Sequence, residues 1–552
     1  MRVQVKDAHF IPPHKKTSAA LLFFWGIFRY SAYVAKETPK AMKITGSGAV
    51  RGAAVMAVWT FASRILGFVR DILMTTIFGL FDDFVMAWMV PNLFRRLFGE
   101  GAVHAAVQPA LAQTRETQGE DAAHSLYARF HGFFLLLLIL LVAIGEGILL
   151  FWQNQLPLGH EDLAALKLSA LLLPYVLPIC LTALAGAPQQ LSGKFMPSAF
   201  APILLNLTWI AVLLVLQNQH ASPADAIFWL PPAILLGGIL QWGIQQPSVR
   251  QCGWPVRPRF TRNDAEVRTT MLAFAPAVLG LAAVQVNLLV DQVLVRELAP
   301  SGANTHVFLA NRLLQLPLAL VGIAVATGAM PWFSRLSAEG RFEELSKSFL
   351  KSLESSLLLL LAAGAGLWVL AQPITSVLFQ HGAFDAEQAQ ELSSTLRAYL
   401  WSLPAACMVG LFARVRQSRG DIKGAALAAA WVIPINLLLD WWWLPIYGAA
   451  GAGYATAVAL WLQVFLLFLG FKKLQIHLRP TFFRMVRLPL PAISSTVCAG
   501  WTLSQMSPDM AFSVKGLAAC IGAGILGAVG MMTLVLPDDF KAFRATLMQK
   551  FR

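Results

Sequence analysis

Charge is scarce in this chain. Only 13% of its 552 residues are Asp, Glu, Lys or Arg, against roughly a quarter in a soluble protein. With 57% hydrophobic residues, a mean hydropathy of +0.61 and apolar runs from about residue 50 nearly to the end, that shortage excludes a soluble globular protein. Acidic residues are scarcer than basic ones, 29 against 43, which leaves a net charge of +14. In a soluble protein the excess would suggest nucleic acid. In a membrane protein it reflects Lys and Arg gathered on cytoplasmic loops. Cysteine is scarce too. Cys180, Cys252, Cys407, Cys498 and Cys520 are scattered without disulfide or metal-ligand spacing and read as packing residues. The sequence holds no Walker loop, no HExxH and no nucleophile elbow, so nothing in it points to an enzyme.

What is present is a succession of about fourteen apolar segments. They are read at 50–79, 84–112, 128–152, 162–191, 198–217, 225–246, 270–297, 304–334, 346–372, 390–416, 424–445, 449–471, 484–505 and 514–536. Frequent Gly and Pro suit kinked transporter helices. The expected fold class is an all-α polytopic membrane protein. The loops alternate in charge. Arg250, Arg257, Arg259, Arg262 and Arg268 follow span 6; Arg335, Arg341 and Lys347 follow span 8; Arg414, Arg416, Arg419 and Lys423 follow span 10; Lys472, Lys473, Arg479, Arg484 and Arg487 follow span 12. Residues 153–162, 217–225 and 380–391, on the opposite side, have no Lys or Arg. This pattern puts both termini in the cytoplasm and accounts for most of the net charge without nucleic acid.

An internal repeat underlies the succession. Asp71 corresponds to Asp291, Arg95 and Arg96 to Arg312, Pro109 to Pro331, and Lys194 and Asn206 to Lys423 and Asn436, all offset by about 220 residues. An even number of spans per repeat gives both halves one orientation, and transporters of this kind place the substrate site between their halves. The expected organisation is an N-terminal extension (1–48), an N-terminal lobe of spans 1–6 (49–247), a C-terminal lobe of spans 7–12 (269–472), spans 13 and 14 (483–537) and a cytoplasmic tail (538–552). The short apolar run Ala19 to Phe28 could be a signal or an interfacial helix. We favour a dispensable extension, with Met42 as an alternative start.

Two sets of intramembrane polar residues carry the functional reading. The first lies in residues 63–100, where Ser63, Arg64, Arg70, Asp71, Arg95, Arg96 and Glu100 sit at or near bilayer depth. A charge there costs at least a few kcal/mol and normally faces a cavity or a partner. Arg64 and Asp71, seven apart, share a helix face, and Arg70 is expected to point elsewhere. Asn92, Arg96 and Glu100 step by four, so an Arg96–Glu100 pair is expected, with Arg95 pointing at the cavity. Span 8 adds Arg312. Few carboxylates accompany Arg64, Arg70, Arg95 and Arg312, which leaves positive charge for a bidentate phosphate ligand. The alternative is that some of them snorkel to the cytoplasmic interface. The second set is Asp291, Asn436, Asp440 and Thr456. Oxygen ligands without sulfur or imidazole suit a hard cation such as sodium; alternatively Asp440, beside Trp441 to Trp443, marks the outer interface. Glu146 reads as interfacial, Lys167 as snorkelling, and His104 and His381 as structural.

The segments SRILGFVRD (63–71), VPNLFRRLFGEGA (90–102), QPALAQ (108–113), GEDA (119–122), SAFAPILLN (198–206), LFQHGAF (378–384) and RGDIK (419–423) resemble the MurJ/MviN family. Its members are lipid II flippases of the multidrug/oligosaccharidyl-lipid/polysaccharide exporter superfamily. The resemblance runs from about residue 45 to the C-terminus. It implies about 14 transmembrane helices, with two six-helix lobes in a V-shaped pseudo-twofold arrangement around a cationic cavity. Spans 13 and 14 would supply a groove for the lipid tail. It also implies a non-enzymatic flippase in the bacterial cytoplasmic (inner) membrane, carrying undecaprenyl-pyrophosphate-linked peptidoglycan precursor to the outer leaflet for cell-wall biosynthesis. Ser63, Arg64, Arg70, Asp71, Asp82, Arg95, Glu100 and Arg312 match its substrate-related positions. Asp291, Asn436, Asp440 and Thr456 are similar to a sodium site of some members, so sodium is a candidate coupling ion. Lipid II, membrane lipids and the cell-wall synthesis machinery are the implied partners. The alternatives are a flippase for another polyprenyl-linked glycan and a drug exporter of the same superfamily. Two departures stand out: Asn311 and Gln315 where acidic residues are common, and ARVRQS (413–418) where an apolar stretch is usual.

Overall fold

A computed structural model describes residues 47–157, 160, 162–219, 222–261, 264–471, 474 and 487–535, without the side chains of 47–57, 99–102, 104–105, 273, 275–284, 323–324, 327 and 535. The extension up to residue 46, much of the basic loop after span 12 and the tail 538–552 lie outside the described residues.

The described secondary structure is helical, and its helices fall on the expected segments. Nine of them are long and apolar enough to cross a membrane. Spans 1, 2, 7, 8 and 13 are not among those nine, and the first four carry Arg64, Arg70, Asp71, Arg95, Arg96, Glu100, Asp291 and Arg312. Span 1 is the single helix Ser47–Phe78. Span 2 begins as Asp82–Phe94, widens into a π-helix over Arg95–Val107 and ends as Gln108–Gln118. Span 8 repeats this plan: Ala303–Pro317, a π-helical segment Leu318–Ile323, then Ala324–Ala338. Both π segments lie just downstream of a proline, Pro91 and Pro317. A proline removes one backbone donor and crowds the preceding turn, and a local π adjustment re-satisfies the freed carbonyls.

Spans 1–6 pack as one lobe. Span 1 lies along span 5 (Met196–Gln219), which packs on span 6 (Pro223–Gln251). A buried aromatic cluster of Phe84, Trp88, Tyr175 and Trp209 ties spans 2, 4 and 5 together. In the second lobe, span 7 (Ala265–Leu298) lies against span 11 (Ile422–Tyr447), as span 1 does against span 5. Phe349, Phe412 and Phe471 form its counterpart aromatic core. Spans 13 (Pro489–Ser504) and 14 (Val514–Val535) pack on each other through Gly524 and Gly527 and against span 9 (Phe342–Val369). Small residues allow such close approach in lipid.

The lobes meet at the end whose loops lack cations. There Ala383 donates its N–H to the Thr76 carbonyl at 2.9 Å. Gly382, at φ +60°, lies so near that a Cβ would come within 2.1 Å of the Thr76 oxygen, so glycine is required. Arg296 of span 7 bridges Asp83 (2.9 Å) and Asp162 (3.0 Å) of the first lobe. Towards the basic end, span 7 crosses to the first lobe. Phe274 packs on Phe98, Phe130 and Phe134, and Arg129 pairs with Asp264 and Glu266. The basic-end segments of spans 2 and 8, Gln108–Gln118 and Ala324–Ala338, pack within their own lobes.

The two extra arginines of ARVRQS do not act alike. Arg416 is buried. It binds Asp421 at 2.5 Å and donates to the Leu467 carbonyl at 2.9 Å, while Asp421 caps span 11 through the Gly424 N–H. Arg416 therefore pins the basic ends of spans 10, 11 and 12 together and adds no loose charge to a gate.

Candidate functional site

Between the lobes, seven residues before the end of span 1, one carboxylate serves two arginines. Asp71 Oδ1 accepts from Arg70 (Nη2, 2.5 Å; Nε, 3.0 Å), and Oδ2 accepts from Arg312 Nε at 2.6 Å. Asp71 and Arg70 are buried, while the Arg312 side chain keeps 33% of its surface exposed. Because Asp71 belongs to the first lobe and Arg312 to the second, this ion pair spans the lobes. Its closeness depends on Gly67: a Cβ there would sit 2.8 Å from Arg312 Nη2.

Arg70 is boxed in. Its Nη1 donates to Asn206 Oδ1 at 3.3 Å, and its guanidinium lies 4.2 Å from the centroid of the Trp209 ring, a cation–π contact that gains strength when desolvated. Asn206 Nδ2 in turn donates to the Ser63 carbonyl (2.9 Å) and hydroxyl (3.2 Å). The expectation that Arg70 points away from Asp71 is therefore corrected. A long guanidinium can fold back onto its sequence neighbour, which helical-wheel geometry of Cβ positions does not capture. The expectation of unpaired cations is also corrected for Arg70 and Arg312, which share Asp71. Arg64 is exposed on the same helix, and Arg95, half-buried, donates to Asn92 Oδ1 at 2.9 Å and 3.1 Å. Arg96 and Glu100 lie in the π-helix, whose turn is longer than that of an α-helix, and the expected pair between them falls outside the described residues. The Glu100 side chain lies outside the described residues.

Asp82 stands apart from the arginines. Its Oδ2 accepts from Gly302 N (2.7 Å), and its Oδ1 accepts from Thr305 N (2.8 Å) and Thr305 Oγ1 (2.5 Å). A carboxylate of the first lobe thus caps span 8 of the second, where the helix presents unsatisfied N–H groups. Both oxygens are committed to this cap.

Three members of the second set come together. Asn436 Nδ2 donates to Asp440 Oδ2 (2.7 Å) and to Asp291 Oδ1 (3.2 Å), and Asn287 Nδ2 donates to Asp291 Oδ2 (3.1 Å). Asp440 is 1% exposed, and its Oδ1 has no partner; Asn287 Oδ1 is likewise buried without one. Thr456 is half-buried in Ala449–Leu469, and no hydrogen bond joins it to this group among the described residues. Two buried carboxylates sharing one amide, with spare oxygens turned inward, fit a hard monovalent cation. Among the described residues no group of three or more His, Cys, Asp or Glu assembles, so the donor set is not that of a transition metal.

Asn206 and Trp209, against Arg70, and Asn287, against Asp291, were not singled out for chemistry by the sequence. For Asn206 the repeat held the signal. It corresponds to Asn436, and each asparagine bonds a charged residue of the first span of its own lobe.

The comparisons agree with this geometry. A family model described as lipid II flippase MurJ matches residues 74–522. A probable lipid II flippase MurJ of Rhizobium tropici is 31% identical over 420 residues, covering 74% of this chain and 78% of its own length. Another, of Vibrio cholerae, is 29% identical over 515 residues, covering 88% and 97%. A solved structure of lipid II flippase MurJ in an inward closed conformation superposes with a TM-score of 0.72 at 22% identity, covering 88% of this chain and 99% of that one. An inward-facing multidrug resistance transporter of the MOP superfamily shares the fold at a TM-score of 0.58 and 12% identity. With most of its length matched and intramembrane arginines set between two repeated lobes, this chain belongs to the lipid II flippase MurJ family.

Proposed function

We propose that the protein is a lipid II flippase of the bacterial inner membrane and moves undecaprenyl-pyrophosphate-linked precursor to the outer leaflet by alternating access. The observation that carries this reading is the Arg70–Asp71–Arg312 cluster, in which two guanidiniums from opposite lobes share one carboxylate. Formally it holds one net positive charge, and a pyrophosphate is its natural complement.

The positive-inside pattern puts the basic loops and both termini in the cytoplasm. The end closed by Thr76–Ala383, Asp82–Thr305 and Arg296 is then the outer one, and the arginines are reached from the cytoplasmic side. Arg64, Arg95 and Arg312 meet the head group, while Arg70, buried against Asn206 and Trp209, holds Asp71 in place. A pyrophosphate that takes Arg312 from Asp71 loosens a bond between the lobes, so cargo entry favours reopening on the other side. The tail stays in the bilayer along spans 13 and 14. No bond in the cargo is broken, so the chain acts as a transporter and not as an enzyme.

Asp291, Asn436, Asp440 and Thr456 would hold sodium, which supplies the charge that lets two carboxylates remain buried together. A net-cationic cavity also responds to membrane potential. Contact with the cell-wall synthesis machinery would follow from the nature of the cargo.

The test is genetic. In a cell depleted of its resident flippase, this chain should restore growth and outer-leaflet lipid II. Absence of rescue by a membrane-inserted, intact protein would sink the cargo assignment.

A further inference from the structure

The opening segment of span 8, Ala303–Pro317, turns one face to the first lobe. On that face Phe308 packs on Phe81, ring centroids 6.0 Å apart, and Arg312 Nε reaches Asp71 at 2.6 Å. At 3.6 residues per turn, Gln315 lies within about 60° of Arg312 and nearer still to Phe308, so it belongs to the same face. It is exposed, and among the described residues no hydrogen bond joins its side chain to another group. Leu313 and Leu314, turned the other way, are buried. Gln315 stands about 4.5 Å of helix rise from Arg312, in the direction of the basic end.

Arg312 bonds Asp71 through Nε, and its side chain keeps 33% of its surface exposed. Among the described residues its two terminal nitrogens donate to no acceptor, so they present a fork for phosphate. A carboxylate at position 315 would be an i,i+3 partner of Arg312 and would occupy that fork. Glutamine leaves it open and adds an uncommitted carboxamide, with two N–H donors and an acceptor oxygen. Asn311, one turn before Gln315, is more restricted. Its Nδ2 donates to the Val307 carbonyl at 3.0 Å, which leaves its oxygen to accept. An acceptor at Asn311 and a donor at Gln315 match the N–H and C=O of a secondary amide, which point to opposite sides. A hydroxyl in the same place is too short to bond both.

We propose that Gln315, together with Asn311, reads an acetamido group on the first sugar of the cargo while Arg312 holds the adjoining pyrophosphate. This rests on the flippase reading above and narrows it to polyprenyl pyrophosphates that carry an N-acetylated sugar. In such a lipid the carbon bearing the acetamido group is bonded to the carbon bearing the phosphate. The two groups therefore fall within one helical turn of each other, as Arg312 and Gln315 do. Gln315 is a specificity-determining residue: the guanidinium holds the phosphate, and the neutral amides select the sugar. The two neutral departures in span 8, Asn311 and Gln315, then serve one purpose.

The experiment measures binding of three probes to the purified full-length protein in lipid nanodiscs. They are undecaprenyl pyrophosphate, undecaprenyl-pyrophosphoryl-N-acetylglucosamine and the glucose analogue, in which a hydroxyl replaces the acetamido group. The first has no sugar and is the reference for the other two. The wild type should bind the N-acetylated probe about fivefold or more tighter than the glucose probe, the worth of about one net hydrogen bond. Gln315→Met keeps the length of the side chain without its polar atoms, and it should bring the two sugar probes within about twofold of each other. If the wild type does not bind undecaprenyl pyrophosphate, the cargo reading falls and this inference falls with it. If the wild type binds undecaprenyl pyrophosphate but holds both sugar probes equally, or if Gln315→Met keeps the fivefold preference, the role of Gln315 is overturned and the cargo reading stands.

Discussion

At the scale of single residues, the site depends on what is missing as much as on what is charged. Gly67 offers no Cβ, and Arg312 lies in the space, reaching Asp71 from the far lobe. Gly67→Ala would place a methyl 2.8 Å from Arg312 Nη2. The far end of an arginine can move, so the fold should tolerate the change and the thermal midpoint should stay within a few degrees. The ion pair should not tolerate it. Misplacing a binding group by about 1 Å can cost up to a hundredfold in rate, so lipid II flipping in proteoliposomes should fall about tenfold or more. Full activity with an unchanged midpoint would mean that the approach over Gly67 has no functional weight. Much of this site was legible in the sequence, because charges in apolar runs are expensive and therefore conspicuous. What was not legible was direction. Whether Arg70 turns to its neighbour, and whether Asn206 and Trp209 close over it, depends on span 5, about 136 residues away in the chain, and no local pattern encodes that meeting.

At the scale of elements, the departures from straight α-helix occur where the functional residues are. Spans 2 and 8 both widen into π-helix after a proline, at equivalent points of the repeat. The apolar runs alone read them as continuous. Span limits were legible because hydropathy fixes them; the helix type was not, because it follows from how a proline's lost hydrogen bond is repaired within the bundle. The same applies to Asp82, which the family pattern groups with substrate contacts and which the structure commits to the first turn of span 8. An N-cap is worth about 1 kcal/mol, or roughly a fivefold change in an equilibrium. Asp82→Ala should therefore shift the two-state balance towards opening at the cation-poor end. Spin-label distances between the first-lobe and second-lobe loops at that end should show a larger long-distance population. A distribution identical to that of the wild type would remove the cap from the closure.

At the scale of the whole molecule, the two lobes meet at the cation-poor end through contacts of different kinds. A backbone hydrogen bond joins Thr76 to Ala383, a helix cap joins Asp82 to span 8, and Arg296 bridges two half-exposed carboxylates. Half-exposed ion pairs contribute about 0–1 kcal/mol each, so none of these contacts alone can hold the lobes shut. They are arranged to be broken in every cycle, as alternating access demands. A covalent bond at the same place should not be breakable in this way. Thr76 and Ala383 lie on opposite lobes and are joined by a main-chain hydrogen bond of 2.9 Å, so a disulfide between these two positions tests the closure directly. Cys180, Cys407 and Cys520 are buried, and the partly exposed free Cys252 and Cys498 are replaced by Ser in the cross-linking background. The double variant Thr76→Cys/Ala383→Cys should therefore cross-link under mild oxidant, seen as a mobility shift on a non-reducing gel. Oxidation should stop lipid II flipping, reductant should restore it, and either single variant should be insensitive to both. If the cross-linked protein still flips lipid II at the uncross-linked rate, opening at this end is not part of the transport cycle.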